Sequence, residues 1–406
     1  MENEIKSIQF SPGSAILIEN SNNEGYFYIL KSGTVNIQAD IDFYNKIFNK
    51  YNAGDTFGLV SGLTRNPSRY TLIAESECEV VRIPINMLGK YFRDNRNICI
   101  KIISLYSNQL RLLNNYLVKK YTGLQDTENP QKLFDNGKCY ANSEQSNLAA
   151  HCLTKYIKWA EKSPHLNSRT IEEAKSILSN INPDFQLREH TSNLLNFKSN
   201  EVVFVENEPA DYFYVIEKGA VKITKLVNNQ EFILCILRDG EIFGEMSILN
   251  NKERNASAIV FEDSSILKLS IDTFMDTVGE KLLLKIFESF ARRIWYAHQR
   301  VSLLEMDDPN AMLYTYMQIL ISDINSKNKS WDNIQKEYVF VLTIYDLKKM
   351  IGMADLSDEL IHDFLSDRNI DVSDHTIRIL DRKKIDDKAA LYKSRHRKRH
   401  VFDTSP

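Results

Sequence analysis

Long hydrophobic runs, grouped cysteines and a strong charge of one sign are all missing from this chain of 406 residues. No apolar run reaches the ~20 residues that a membrane-spanning helix needs, and the first residues lack the charged-then-apolar layout of a secretion signal. The five cysteines are scattered and odd in number, which favours a reducing compartment over a disulfide framework. We therefore expect a cytoplasmic protein that has no membrane partner.

Motifs for metal binding and catalysis are also missing. The nearest grouping, Cys139 with His151 and Cys152, does not have the ligand spacing of a zinc site, and no cysteines are grouped as iron–sulfur ligands. The chain contains no P-loop, nucleophile elbow, HExxH or paired-carboxylate motif. The formal net charge of −3 excludes polyanion binding by overall charge alone. These absences predict a protein that is not an enzyme and has no metal and no cofactor.

An internal repeat organises what is present. Residues 26–37 match residues 212–223, and residues 54–58 match residues 240–244, at the same offset of 186 positions. Because only two units are present, they indicate two copies of one domain rather than a solenoid. We refer to them as the first copy and the second copy.

Each copy combines short strand-like runs with a long helical pattern. In the second copy, residues 202–205 and 214–216 are β-branched or aromatic, and residues 207–209 and 217–219 are turn signals. Such spacing is typical of a β-sandwich or β-roll. Apolar residues at every third or fourth place then predict helices over 97–119 and 280–304.

The segment 243–257 of the second copy carries groups suited to a phosphorylated sugar. Gly244 lets the backbone approach a ligand closely because it has no Cβ. Glu245 can accept a hydrogen bond from a ribose hydroxyl, and Arg254, nine positions later, presents a fork of donors that matches phosphate.

This order of groups resembles the phosphate-binding cassette of cyclic nucleotide-binding domains, and we refer to 243–257 as the second cassette. The resemblance covers about 5–118 and 193–305, and implies an α+β fold with two β-roll domains, each followed by a long helix. It also implies a cyclic nucleotide, cyclic AMP or cyclic GMP, as the effector. The ligand-binding residues that it implies are Phe243, Gly244, Glu245, Arg254, Asn255, Ala256, Ser257 and, facing the base, His298.

The first copy has a degenerate form of the cassette, here called the first cassette, at 57–69. Gly58 is kept and Arg69 lies one residue later than the position that matches Arg254, but Leu59 stands where the second copy has Glu245. A leucine cannot accept a hydrogen bond, and a ribose hydroxyl buried against it costs ~1–3 kcal/mol. We therefore expect the first copy to be a structural or dimerisation domain. A site for a different anion around Arg69 is the alternative.

The C-terminal third resembles the winged helix-turn-helix domain of Crp/Fnr-type bacterial regulators. Residues 342–352 predict its first helix, with Thr343 as N-cap and Gly352 at the turn. A second helix is expected over 357–367, and 376–382 alternates like a strand of the wing.

The charges of the segment that matches a recognition helix oppose binding to DNA. The segment 355–368, at the place of the recognition helix, holds five acids and one late arginine, and acids repel phosphates. Basic residues lie elsewhere, in the tail 393–406 and at the four candidate DNA-contacting positions Lys348, Lys349, Arg382 and Lys383.

The predicted division of the chain has five parts. They are a degenerate cyclic nucleotide-binding-like domain (1–119), a helical linker (120–192), a cyclic nucleotide-binding domain with its long helix (193–305), a winged-helix-like domain (306–392) and a basic tail (393–406). The expected function is a cyclic nucleotide-responsive Crp/Fnr-like transcription regulator that senses its ligand with the second copy. The alternative is a regulator that acts through a protein partner without reading DNA. A homodimer through the long helix and an intrachain pairing of the two copies are both compatible with the repeat.

Overall fold

The computed structural model describes residues 4–22, 25–39, 50–122, 129–162, 168–182, 185, 187, 192–249, 252–270, 280–303, 306–328 and 336–403. Within these ranges the chain mixes antiparallel sheets and helices. Two β-rolls are followed by long helices, a helical segment separates the rolls, and a smaller unit lies at the C-terminal end.

The first copy is built from two four-stranded antiparallel sheets with the orders β1-β8-β3-β6 and β2-β7-β4-β5. Their inward side chains belong to one continuous apolar core, as expected for two sheets packed face to face. The strands are β1 (Lys6–Phe10), β2 (Ala15–Leu17), β3 (Tyr26–Ser32), β4 (Thr34–Gln38), β5 (Lys50–Asn52), β6 (Thr56–Phe57), β7 (Thr71–Ala74) and β8 (Cys78–Pro84).

The second copy forms one strongly bent six-strand sheet. Its path is β10-β14-β11-β12, with β13 paired to β11 and β9 paired to β14. Register shifts within the two long strands β11 and β14 let each strand take part in both halves of the roll. The strands are β9 (Leu194–Phe197), β10 (Val202–Phe204), β11 (Phe213–Val227), β12 (Gln230–Arg238), β13 (Ile242–Phe243) and β14 (Ser257–Leu269).

Helices follow the strands of each copy where the periodicity predicts them. The first long helix spans Arg96–Thr122 and the second long helix spans Glu280–Leu303, within a few residues of the predicted 97–119 and 280–304. A short helix begins each cassette. The shorter elements are Leu59–Thr64, Leu88–Asp94, Glu245–Leu249 and the 3-10 turn Ile85–Met87.

The two long helices pack against each other, and the core of the first roll continues through them to side chains of strands β11, β13 and β14, while the interior of the second roll is a separate apolar cluster. At this junction the rings of Phe92 and Phe287 lie with their centroids 4.6 Å apart. The second long helix also covers the short helix of the first cassette, and the first long helix covers the short helix of the second cassette. The chain therefore forms the intrachain pairing that was one of the two possibilities left open by the repeat.

The linker between the copies contains three helices, Lys132–Asn142, Ser146–Ala160 and Ser168–Ile181. Within the linker the sequence predicts short helices over 148–159 and 170–179, which match the last two, and a loop over 122–146, which is wrong for its second half because the helix Lys132–Asn142 lies there. There Gly137 faces Leu153 so closely that an added Cβ would lie 2.7 Å from the leucine side chain. Gly137 follows Asn136 in a dipeptide that is typical of turns, but here it is a close contact between two helices.

The C-terminal unit contains the elements expected from its sequence, with one difference in length. The capping box between Thr343 and Asp346 starts a helix, and Gly352 adopts φ +77° in the turn after it. Instead of one helix over 357–367, the chain makes a 3-10 turn and a single α-helical turn. The elements are Pro309–Asn328, β15 (Tyr338–Phe340), Ile344–Met350, the 3-10 turn Asp358–Ile361, His362–Leu365, β16 (Ile370–Val372), β17 (Ile377–Ile379) and Arg382–Asp403, with sheet order β15-β17-β16.

The predicted basic tail is the end of the last helix as far as Asp403. The charged side chains of the tail lie outside the described part of the chain. Among the described residues, no helix is long and apolar enough to cross a membrane, and no three potential metal ligands are grouped.

The shared core predicts that the two copies unfold together. Replacing Phe287, which is 1% exposed, by alanine should lower the free energy of unfolding by about 3–5 kcal/mol, because it removes the ring that packs on Phe92. Urea denaturation followed by circular dichroism measures this change. The matched control is Ile18→Ala, at a side chain that is 57% exposed and should shift stability by less than about 0.5 kcal/mol. Two separate transitions in the parent protein would contradict a common core.

Candidate functional site

The second cassette begins where strand β13 turns into its short helix. Phe243 is fully buried, and its ring stacks on Tyr214 at 5.3 Å between centroids. Gly244 adopts φ +79°, and a Cβ there would lie 2.7 Å from the guanidinium of Arg254. A side chain at this position would thus collide with the arginine, which explains the glycine at the start of the cassette.

Arg254 lies inside the roll with only 3% of its surface exposed. Its two terminal nitrogens donate to the carbonyl oxygens of Gly244 and Tyr212, both at 2.6 Å, and the guanidinium stacks 4.1 Å above the ring of Phe204. Burial lowers the pKa of Arg254, and the nearby Tyr214 and Glu208 oppose that effect. A phosphate bound here must therefore replace backbone carbonyls as the acceptor.

Glu245 is 2% exposed and pairs with the second long helix rather than with Arg254. Arg293 donates to Glu245 Oε1 at 3.1 Å and to the carbonyl oxygen of Ile242 at 3.1 Å. Glu245 Oε2 has no hydrogen-bond partner within the described ranges. This buried acceptor is the atom of the cassette that a ribose hydroxyl could satisfy.

The three residues after Arg254 are fully enclosed. Asn255 donates to Asn115 of the first long helix at 3.0 Å, Ala256 packs in the core of the roll, and Ser257 accepts from the backbone of Glu206 at 2.9 Å. The first long helix therefore helps to enclose the cassette of the other copy. Its Arg111 adds a second contact, to the carbonyl oxygen of Glu253 at 3.1 Å.

A buried ion pair inside the second copy was missed by the sequence analysis. Lys225, 1% exposed, lies 3.0 Å from Glu206 and donates to the carbonyl oxygen of Asn255 at 2.8 Å. A lysine at an inward position of a strand was the available signal. It carried little information because β11 also contains Lys222, which belongs to another ion pair.

The first cassette is closed by the second long helix. Leu59 is 1% exposed in the apolar core, and the guanidinium of Arg69 stacks 4.0 Å from the ring of Trp295. The remaining space between this cassette and the helix is about 20 Å³, which is room for about one water molecule. A nucleotide does not fit there unless the helix moves.

His298 lies at the first cassette, not at the second. It lines the small space beside Arg69 and Trp295 and is 2% exposed. Burial, together with the charge of Arg69, lowers the pKa of His298 to about 3. The structure thus brings the other seven candidate residues together but separates His298 from them, because the second long helix crosses to the other copy.

The candidate DNA-contacting residues fall into two pairs. Lys348 and Lys349 are each 8% exposed, and their ammonium groups contact Asp358 at 2.7 Å and Glu231 at 2.5 Å. Both are therefore buried against acids in this arrangement. Arg382 and Lys383 start the last helix; Arg382 pairs with Asp386 of the same helix, and Lys383 is exposed.

The acidic segment between the two pairs is held within the C-terminal unit. The hydroxyl of Tyr392 donates to Asp363 at 2.8 Å, and that of Tyr314 donates to Asp367 at 2.8 Å. Hydrogen bonds from tyrosines thus hold two of the five acids of this segment.

Two larger cavities adjoin the second copy. One, of about 490 Å³, lies between the linker helix Ser146–Ala160 and the roll, and is lined by Arg254, Glu208 and His151. His151 and Glu208 are 3.0 Å apart there. Burial raises the pKa of Glu208, but the hydrogen bond from His151 and the charges of His151, Lys155 and Arg254 outweigh it, so its pKa is lowered.

The other cavity, of about 400 Å³, lies between the roll, the second long helix and the C-terminal unit.

The position of His298 predicts a pH-dependent stability. Its imidazole stays neutral in the folded protein down to about pH 3 but is protonated in the unfolded chain below about 6.5. The unfolded state then binds more protons, so the free energy of unfolding should fall as pH decreases from 6.5 towards 3, by about 1.4 kcal/mol per pH unit.

Urea denaturation between pH 7 and 4.5 gives the free energy of unfolding of the parent protein and of His298→Gln. The contribution of His298 is the difference between the slopes of these two free energies against pH. The exposed His375→Gln is the matched control and should keep the slope of the parent protein. An unchanged slope in His298→Gln would show that this imidazole is not buried as a neutral group.

Comparison with known proteins places these features in a family context. Residues 7–95 and 194–280 each match the profile of the cyclic nucleotide-binding domain. The chain is 29% identical over 122 residues to the cyclic AMP receptor protein of Thermus thermophilus. This alignment covers 29% of this chain and 56% of that protein. It is 26% identical over 132 residues to the global nitrogen regulator of a Nostoc species, covering 31% and 59%.

A third relative comes from a different class of regulator. The chain is 29% identical over 85 residues to a cAMP-dependent protein kinase regulatory subunit of Aspergillus niger. This alignment covers 21% of this chain and 20% of that protein. The chain spans little more than half the length of the two bacterial relatives. Both matches to the domain profile coincide with the β-rolls seen in the structure. The chain therefore carries two cyclic nucleotide-binding domains in tandem.

Proposed function

We propose that this protein is a cyclic nucleotide-responsive regulator of transcription in which the second copy senses the ligand. The observation that carries the proposal is the contrast between the two cassettes. The second keeps Glu245 and Arg254, both buried, whereas the first has Leu59 and a space of about 20 Å³. The effector is cyclic AMP or cyclic GMP, and cyclic AMP appears in the names of two of the relatives.

The two buried charged groups of the second cassette, Arg254 and Glu245, both have partners in the protein. Arg254 donates to backbone carbonyls, and Glu245 accepts from Arg293. A cyclic nucleotide would take over these partners: its phosphate would accept from Arg254, and its ribose hydroxyl would donate to Glu245. Since a charge-assisted hydrogen bond is stronger than one to a neutral acceptor, the phosphate can compete with the carbonyls.

The second long helix offers a route from this site to the C-terminal unit. Arg293 contacts the cassette, and Arg300, two turns later on the same helix, donates to the carbonyl oxygen of Met350 at 2.5 Å. A ligand that changes the Glu245–Arg293 contact would thereby bias the position of the C-terminal unit. Such coupling requires that the ligand bind one arrangement better than the other.

The pairing of the two long helices within one chain supports a monomeric sensor unit. Their mutual contact is the surface through which a homodimer was expected. We propose that intrachain pairing takes the place of pairing between subunits around the cassettes. Any homodimer would then form through another surface, such as the C-terminal unit.

The site assignment predicts opposite outcomes for two matched arginine variants. Arg254→Ala should abolish binding of cyclic AMP and cyclic GMP in isothermal titration calorimetry, because it removes the only arginine side chain of the second cassette. Arg69→Ala should leave the affinity and a stoichiometry of about one nearly unchanged. Unaltered binding in Arg254→Ala would overturn the assignment, and a stoichiometry of two that falls to one in Arg69→Ala would show that the first cassette binds ligand.

A second candidate function is a regulator that acts through a protein partner. It is favoured by the acidic segment at the place of a recognition helix and by the burial of Lys348 and Lys349. Under either function the C-terminal unit contacts the target of regulation, but only a regulator of transcription requires a surface that attracts the phosphates of DNA.

DNA binding in the presence and absence of nucleotide separates the two functions. Fluorescence anisotropy with mixed-sequence duplexes should show binding at low salt, and Lys383→Gln should reduce the salt slope by about one if that lysine contacts a phosphate. The exposed Lys198→Gln, in the second copy, is the matched control. Absence of binding at low salt in every state would exclude the transcriptional function and favour a protein partner.

A further inference from the structure

The cavity of about 400 Å³ between the second copy and the C-terminal unit is distinct from the cassette. Strand β12 and the second long helix form one wall, and the helix Pro309–Asn328 with strand β15 forms the other. Neither Arg254 nor Glu245 lines it. Its volume lies within the ~300–1,000 Å³ that is usual for small-molecule sites.

The walls of this cavity are mostly apolar. Side chains from both sides contribute, and they come from elements far apart in the sequence, so the space exists only because the C-terminal unit docks on the roll. The main apolar lining residues are Leu234, Tyr296, Tyr316, Ile319, Leu320 and Leu342.

Arg300 gives this apolar cavity a buried positive charge. It is 2% exposed, and its guanidinium lies 4.8 Å from the ring of Phe232 and 5.6 Å from that of Tyr316. Its terminal nitrogens donate to the carbonyl oxygens of Leu234 at 2.5 Å, Ile233 at 3.1 Å and Met350 at 2.5 Å. Its Nε donor has no partner among the residues with described side chains.

The other two arginines of the same helix at this cavity are balanced by acids. Arg292 lies 3.3 Å from Glu241, and Arg293 lies 3.1 Å from Glu245. No carboxylate in the described ranges lies within 4.0 Å of Arg300, whose only acceptors are neutral carbonyls. Since an ionised group in an apolar environment is costly unless a counter-charge is near, the missing partner of this site is an anion.

We propose that the interdomain cavity binds an amphipathic anion, a small molecule with an apolar body and one carboxylate. The body would occupy the space between Tyr296 and Leu320, and the carboxylate would lie at the Arg300 end. Such a ligand contacts the second long helix and the C-terminal unit at once, so it would stabilise the docked arrangement. This site stands independently of the cyclic nucleotide function proposed for the cassette.

Decanoate tests the proposal, with decylamine as a probe of equal chain length and opposite charge. Isothermal titration calorimetry on the full chain, below micellar concentrations, should show saturable decanoate binding at a stoichiometry of one and no saturable decylamine binding. Arg300→Met, which keeps an apolar stem of similar length, should weaken decanoate binding at least about tenfold. The exposed Arg368→Met is the matched control and should leave the affinity unchanged.

If circular dichroism shows that Arg300→Met does not fold, Leu320→Trp provides a second test of the proposal. This substitution fills the cavity from the C-terminal side, leaves Arg300 in place and should abolish decanoate binding. Equal affinity for decanoate in the parent protein and in either folded variant would overturn the proposal, as would equal binding of decylamine.

A competition experiment separates this site from the cassette. Arg254→Ala should lose cyclic nucleotide binding but keep decanoate binding, and Arg300→Met should show the reverse pattern. If cyclic AMP displaces decanoate competitively and Arg254→Ala weakens both ligands, the cavity belongs to the nucleotide site and the proposal fails. If the parent protein binds decanoate but no cyclic nucleotide, only the function proposed for the cassette fails.

Discussion

The packing of the two long helices on each other is the contact on which the rest of this structure depends. It joins the apolar interior of the first β-roll to side chains of strands β11, β13 and β14 of the second copy, beside the separate interior of the second roll. Each helix then covers the cassette of the other copy. Trp295 stacks on Arg69 of the first cassette, and Asn115 accepts from Asn255 of the second. The two repeated domains therefore differ in their surroundings as well as at Leu59 and Glu245, because a bulky aromatic side chain closes the first cassette and small polar groups border the second.

Buried charge is concentrated in the second copy. Arg254, the Glu245–Arg293 pair and the Lys225–Glu206 pair are all enclosed. Burying such groups is rarely the most stable choice, since apolar residues of similar volume often serve as well. Their presence is understandable if ligand recognition needs them, and their internal partners keep the site intact before a ligand arrives. Like Arg254, Arg300 donates to backbone carbonyls, and no carboxylate in the described ranges lies within 4.0 Å of its guanidinium.

The second long helix connects these features mechanically. It contacts the first cassette through Trp295, the second through Arg293 and the C-terminal unit through Arg300. A single rigid element with three such contacts can transmit a change at any one of them. The ion pair between Lys349 and Glu231 adds a direct link from strand β12 to the C-terminal unit. Ligand state and the accessibility of Lys349 are therefore expected to be coupled.

The sequence by itself determined the local features of this protein. Repeated turn residues, the apolar periodicity of the long helices, and the spacing of Gly244, Glu245 and Arg254 all depend on interactions between neighbours in the chain, so the strands, the helices and the cassette were predictable. Only the tertiary structure decided that His298 lies at the first cassette, that Gly137 is a helix contact and that Arg300 faces an interdomain cavity. These outcomes arise when elements distant in sequence pack, since the same side chain is core, ligand contact or interface according to the surface it meets.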